Sequence, residues 1–360
     1  MKGYGKDKVR VVKVTDLPPS SAPGAANLKH QHVQELTCRV LLSGAQFETS
    51  YSRGNNQLVV PTDTVKNTIY FLAQTTPGTL EDIESFGKII CRHFLKEYNH
   101  VEGVHVHIYA HDWTRIQTST YVPTTDKATG SLISTTSPTD TKLVVGPHPH
   151  SFYRAGEQKR LTDITAERVH SAGKSAAPAS NFQIKFSITS GICDLYVLKS
   201  TGSSFENYHT DRLTTLPPMA ERVLSTDVTA KWTFPPSIES LQDNSAPVFT
   251  PTYNAVRQIT LDLFANHDSP SVQNTLYRMG ELVLTACPHV HDITYELPNK
   301  HVFVYDLKRF GIDNKTGGAS TVYYPVADPS GPNYSHHLTP TLQTVIDQVV
   351  DCASPLVGHC

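Results

Sequence analysis

Charge is scarce and balanced in this chain: acidic and basic residues make up 18% of it and leave a net charge of −2. Such a surface casts no long-range field toward nucleic acid or an anionic membrane, so neither is an expected partner. Cysteine is sparse too. Cys38, Cys91, Cys193, Cys287, Cys352 and Cys360 form no CxxC pair and no framework spacing, which argues against a disulfide scaffold and for free thiols in a reducing compartment. No apolar run approaches the length of a bilayer span, and the leader Met1-Lys2-Gly3-Tyr4-Gly5-Lys6-Asp7-Lys8 lacks the apolar core of a signal peptide. The chain reads as a soluble, non-secreted protein.

What is present is length and a repeated plan. At 360 residues the chain can hold two domains with a sizeable interior. Leu17 to Ala26, Thr118 to Leu143 and Ala172 to Ser180 are rich in turn formers and carry no helix or strand period, so they read as surface insertions. Elsewhere, a strand-like run at Thr68 to Ala73 leads to a helix start at Thr79-Leu80-Glu81-Asp82. Ile83, Phe86, Ile90 and Phe94 then make one apolar stripe, and Val104, Val106 and Ile108 alternate as a strand. In the second half Ile259, Leu261 and Leu263 alternate, and Ser269-Pro270 supplies an N-cap and a first-turn proline. Val272, Leu276, Met279 and Val283 make a stripe, and Ile293, Tyr295 and Leu297 alternate. Between the halves, strands around Leu195 and from Leu224 to Phe234 flank a short helix expected near Met219 to Leu224, after Pro217-Pro218. Strand, helix, strand twice over predicts an α+β protein of two similar units, 1–165 and 166–360, with helices on one face of antiparallel sheets.

The polar stretch Thr62-Asp63-Thr64-Val65-Lys66-Asn67 follows the β-formers Leu58, Val59 and Val60 and the ladder-stopping Pro61. It fits either an N-capped helix or a chemical site. Histidine repeats the HxH spacing at His30/His32, His105/His107, His148/His150 and His289/His291. No cysteine or acidic ligand completes a set by spacing, so no metal is expected.

Several segments taken in order are similar to the urate oxidase (uricase) family. They are Tyr4-Gly5-Lys6-Asp7, Thr62 to Asn67, Trp113-Thr114-Arg115 and Pro147 to Phe152, then Leu195-Tyr196-Val197-Leu198-Lys199-Ser200-Thr201-Gly202-Ser203-Ser204-Phe205. Arg222 to Val228, Ser271-Val272-Gln273 and Leu297-Pro298-Asn299-Lys300-His301 complete the match, which runs to about Leu307. The resemblance implies a tandem T-fold (tunnelling fold) whose antiparallel sheets close into a barrel on oligomerisation, and a homotetramer with active sites at subunit interfaces.

It also implies oxidation of urate by O2 and water to 5-hydroxyisourate and hydrogen peroxide, without metal or organic cofactor. A flat purine needs a planar donor fork, a carboxamide for the opposite edge and an apolar lid. By resemblance these are Arg222, Gln273 and Phe205, with Val272 backbone, Asn299, Thr62 and Asp63 completing the outline. Lys6, Thr62 and His301 would relay protons. Asn299 and His301 share a face if Leu297 to Val304 is a strand. Read without the resemblance, Lys6 is a surface lysine, Arg222 a solvated side chain, Phe205 a satellite of the core and His301 a strand histidine. Pro61, Glu206 and Leu213 depart from residues usual in the family, so a catalytically impaired purine-binding protein stands as the alternative. A third alternative is a metal-dependent pterin-type hydrolase of the same fold. The family is often peroxisomal, whereas the tail Gly358-His359-Cys360 is not of the Ser-Lys-Leu type; the expectation is a peroxisomal or cytoplasmic enzyme.

Overall fold

In this computed structural model, residues 3–18, 29–78, 80–123, 141–169, 182–239, 248–315, 319–326 and 337–338 are described. The first half runs β1 (Gly3–Asp16), β2 (Gln31–Ser43), α1 (Glu48–Arg53), α2 (Thr62–Thr75), α3 (Ile83–Glu97), β3 (Gly103–His111), β4 (Thr114–Pro123), β5 (Thr141–Tyr153) and β6 (Lys159–Val169). The second half runs β7 (Gln183–Lys199), β8 (Leu224–Thr233), β9 (Ser237–Glu239), α4 (Phe249–Asn266), α5 (Val272–Ala286), β10 (Asp292–Glu296), β11 (Val302–Val304), β12 (Tyr323–Pro325) and β13 (His337–Leu338). One antiparallel sheet takes the order β1-β2-β3-β6-β7-β8-β10-β13, with β9 beside β7; β4–β5 and β11–β12 are separate ribbons. Among the described residues the sheet is open, with no closed barrel within the chain.

Alternation places the core. Val104, Val106 and Ile108 are buried, whereas His105 and His107 between them are only partly covered and face the other way. Onto the apolar face pack the helix stripes, Ile83, Phe86, Ile90 and Phe94 of α3 and Val272, Leu276, Met279 and Val283 of α5. Each such side chain contributes roughly 1.5–3 kcal/mol by leaving water. Within the first half Arg160 Nη2 lies 2.6 Å from Glu84 Oε2, and buried polar links join the halves: Ser190 Oγ of β7 donates to Glu84 Oε1 at 2.5 Å. Lys88 and Arg92 of α3 both pair with Glu239 of β9.

Both halves share a detail of strand geometry. In β1 the register slips between Lys6↔Val40 and Val9↔Cys38, and in β7 between Ile192↔Ala230 and Leu195↔Val228. In each case two residues oppose one, a bulge, and its second residue is left-handed, Lys8 at φ 56° and Asp194 at φ 57°. Gly5, just before the first bulge, is obligatory: a Cβ there would lie 1.9 Å from the Val40 carbonyl oxygen.

Several local expectations are corrected. Thr68 to Ala73 lies within α2, whose buried Val65, Thr68, Ile69, Leu72 and Ala73 recur at helical spacing, and Leu58 to Val60 form no strand, Leu58 lying in a turn. Ile259, Leu261 and Leu263 lie on α4, where Tyr253, Val256, Thr260 and Phe264 form the buried stripe. No helix forms at Met219 to Leu224; Met219 instead pairs with Phe205. The cap of α5 is Ser271, whose Oγ accepts from Asn274 N–H at 3.1 Å, two residues later than expected. Thr118 to Pro123 and Thr141 to Leu143 belong to the β4–β5 ribbon rather than to a structureless insertion. The intervening stretch, Ala172 to Ser180, residues 19–26, Thr79 and the C-terminal tripeptide lie outside the described residues.

Candidate active site

The loop after β7 turns at Gly202, whose φ of +68° suits glycine, and returns to the sheet through backbone pairing. Phe205 N–H donates to the Met219 carbonyl at 2.7 Å, and Met219 N–H donates back at 3.0 Å. Arg222 N–H donates to the Ser203 carbonyl at 2.8 Å and its Nε to Ser203 Oγ at 3.2 Å. The guanidinium then sits 5.3 Å from the Phe205 ring centroid, and burial lowers its pKa from the ordinary arginine value. Tyr208 stacks on Phe205 at 4.8 Å and 13° and donates its hydroxyl to the Leu216 carbonyl, backing the ring.

Beside this loop lies the start of α5. Ser204 N–H reaches the Ser269 carbonyl at 2.8 Å, which brings Val272 and Gln273 to the same opening. The first-turn N–H groups of a helix lack intrahelical partners and carry its positive end, so this rim suits an anion.

Across the opening stands the segment after β10. Asn299 pairs with Thr226 as an isolated bridge, and the Asn299 Oδ1 is buried without a hydrogen-bond partner among the described residues. His301 stacks on Phe303 at 6.1 Å and 19°. The expected continuous strand from Leu297 to Val304 is two pieces, the bridge at Asn299 and β11. Together these walls enclose a cavity of about 450 Å³, and of the nine candidate residues six line it: Phe205, Arg222, Val272, Gln273, Asn299 and His301.

The other three gather elsewhere. Lys6 is half-buried on β1 beside the bulge, and Thr62 and Asp63 are exposed in the first turn of α2. Tyr4 binds the two elements together, its hydroxyl accepting from Val60 N–H at 2.6 Å just before Thr62. Asp63 accepts from Lys66 Nζ at 2.6 Å and from Asn67 Nδ2 at 2.9 Å. The Lys66 hydrogen bond and charge hold the Asp63 carboxyl below its ordinary range, with smaller help from Asn67 and the charge of Lys6. None of Lys6, Thr62 and Asp63 lines the cavity.

The apolar walls formed by Leu216, Pro217, Met219, Val302, Phe303 and Tyr323 escaped sequence reasoning. Pro217-Pro218 was the available signal, but it reads equally as a helix start. The departures Glu206, Leu213 and Pro61 are exposed, and none lines the cavity. Among the described residues no group of three or more His, Cys, Asp or Glu could hold a metal ion.

Comparison with known proteins gives one consistent result. The uricase family pattern matches residues 2–165 and 188–332. The uricase of Cyberlindnera jadinii is 38% identical over 333 residues, covering 91% of this chain and 92% of that protein. The uricase of Aspergillus flavus is 37% identical over 331 residues, covering 91% and 92%. Among solved structures, the uricase from Arthrobacter globiformis superposes with a TM-score of 0.68 at 30% identity, covering 94% of this chain and 93% of that one.

Proposed function

This chain belongs to the uricase family, and we propose that it is a urate oxidase, converting urate, O2 and water to 5-hydroxyisourate and hydrogen peroxide without metal or organic cofactor. The observation that carries the reading is the cavity itself. A cation on a buried wall, an aromatic face beside it, a helix N-terminus and an unpartnered carboxamide oxygen surround a space of purine size.

In this reading Arg222 is the planar fork, its Nε tied to Ser203 Oγ so that the outer nitrogens serve the ligand. Phe205, backed by Tyr208, is the stacking face. Gln273 and the Val272 backbone meet the opposite edge, and Asn299 Oδ1 accepts a ring N–H that would otherwise leave it orphaned. Lys6 draws a proton through Thr62, His301 passes protons onward, and Asp63 lines the site beside Thr62. Removing a second proton from urate makes the ring electron-rich enough to reduce O2. Water then adds to the oxidised ring, and O2 leaves as hydrogen peroxide.

Because Lys6, Thr62 and Asp63 do not line the cavity of their own chain, the reading requires that another copy deliver them. The assembly is a homotetramer with active sites at subunit interfaces. Exposed apolar side chains support such contacts: Val12 and Val14 on the edge strand β1, Phe71 on α2 and Phe310 after β11. Each half is a T-fold unit in this reading, and the open sheets close into a barrel on association. The repeated order of two strands, two long helices and two strands supports the duplication, as do the two equivalent bulges and the two matched segments. In this reading the two units meet near the end of β6, the strand that holds residue 165. A peroxisomal location would follow the family habit.

Purified protein in an oxygen electrode, with a chelator present, should consume O2 as urate's ultraviolet absorbance bleaches. Tight urate binding without O2 uptake would favour an impaired purine-binding protein. Activity lost on thorough chelation would favour a metal-dependent hydrolase.

A further inference from the structure

Asn299 and Lys300, which follow Pro298, wall the cavity without belonging to a regular strand. The start of β8 grips this segment at three successive residues. Lys300 N–H donates to the Ser225 carbonyl at 2.8 Å, Thr226 Oγ1 donates to the Pro298 carbonyl at 2.9 Å, and Asp227 Oδ2 lies 3.3 Å from Lys300 Nζ. The Lys300–Ser225 bond sets Thr226 opposite Asn299 as an isolated antiparallel bridge. Thr226 is 0% exposed and does not line the cavity, so it touches no ligand there.

Arg222 lies four residues upstream on the same run of chain, its amide anchored to Ser203. The run 222–227 therefore holds both rims at once, the guanidinium directly and the Asn299 carboxamide through Thr226. A planar heterocycle has no flexible handle, so the separation of its two grips decides whether both engage. Resting on the urate-oxidase reading, we propose that Thr226 is a positioning residue: its hydroxyl fixes the Pro298 carbonyl and thereby holds Asn299 in register with Arg222.

The test is a double-mutant cycle on the full-length enzyme. Thr226→Val keeps the shape and removes the donor, and kcat/KM for urate should fall about tenfold. Thr226→Ser retains the hydroxyl and should stay within about twofold of wild type. In an Asn299→Ala background the Thr226→Val change should cost less than about twofold, because the group being positioned is already gone. Should the valine variant lack a cooperative thermal transition, Thr226→Ala carries the same cycle. Equal losses in both backgrounds, or wild-type kcat/KM in the variant without the hydroxyl, would overturn the inference alone. A wild-type protein that does not oxidise urate would overturn the parent reading and this one with it.

Discussion

The two halves of the chain share an order of elements, two strands, two long helices and two strands, and place the same two-against-one bulge in their first strands. They have been put to different uses. In the second half the loop after the bulged strand, the start of α5 and the segment after β10 converge on a cavity. In the first half the residues beside the bulge, half-buried Lys6 with exposed Thr62 and Asp63 on α2, stand outside that cavity. In the proposed reading the Lys6–Thr62 pair and the binding cavity are separated along one chain and meet when copies associate.

The sharpest way to break this contrast is Lys6→Met. Turnover should fall about a hundredfold or more while 8-azaxanthine still binds with near wild-type affinity, since the cavity of the second half is untouched. Near-normal kcat would remove Lys6 from the relay. The reciprocal change, Arg222→Ala, strips a charge-assisted contact from the cavity and should weaken urate binding by roughly 1.5–3 kcal/mol, mainly in KM. An unchanged KM would deny Arg222 its role.

A smaller effect distinguishes the open faces of the sheet. Burial alone would raise the pKa of Asp163, but hydrogen bonds from His105 Nε2 at 2.6 Å and His107 Nδ1 at 3.0 Å outweigh it and hold the carboxyl well below the usual range. With the folded value below the unfolded one, the stabilisation is present above about pH 4 and is lost as pH falls through the folded value. Asp163→Asn should lower the melting temperature at neutral pH and flatten its decline in acid. A parallel decline in both proteins would refute the pairing.

The smallest effect sharpens the comparison of the bulges. Left-handed Lys8 and Asp194 each bear a steric cost that glycine lacks. Asp194, however, also pairs with Lys159 at 2.6 Å, which raises the Lys159 pKa. Lys8→Gly should therefore stabilise by up to about 1 kcal/mol, and Asp194→Gly by less. The reverse order in thermal denaturation would argue against equivalent bulges.

Much of this arrangement is legible in the sequence. The stripes of α3 and α5 and the alternation of β3 are long periodic patterns with one buried face each, so period alone places them. Thr68 to Ala73 and Ile259 to Leu263 mislead because apolar residues that flank the buried stripe of a helix, such as Tyr70, Phe71, Ile259, Leu261 and Leu263, make a short run that also fits a strand. The six cavity residues could be gathered by resemblance, but their meeting depends on pairings between segments far apart in sequence, such as Asn299 with Thr226. The separation of Lys6 from Arg222 is beyond any local pattern, since it depends on tertiary topology.

The central claim is that two copies complete each site, and subunit mixing tests it most directly. Lys6→Met and Arg222→Ala chains, each nearly inactive on urate at low substrate, are unfolded together in equal amounts and refolded. If cavity and lysine come from different copies, roughly a quarter of the sites regain both intact parts and O2 uptake returns to about that fraction of wild type. A refolded mixture no more active than either variant alone, with tetramers formed and mixed, would contradict the account.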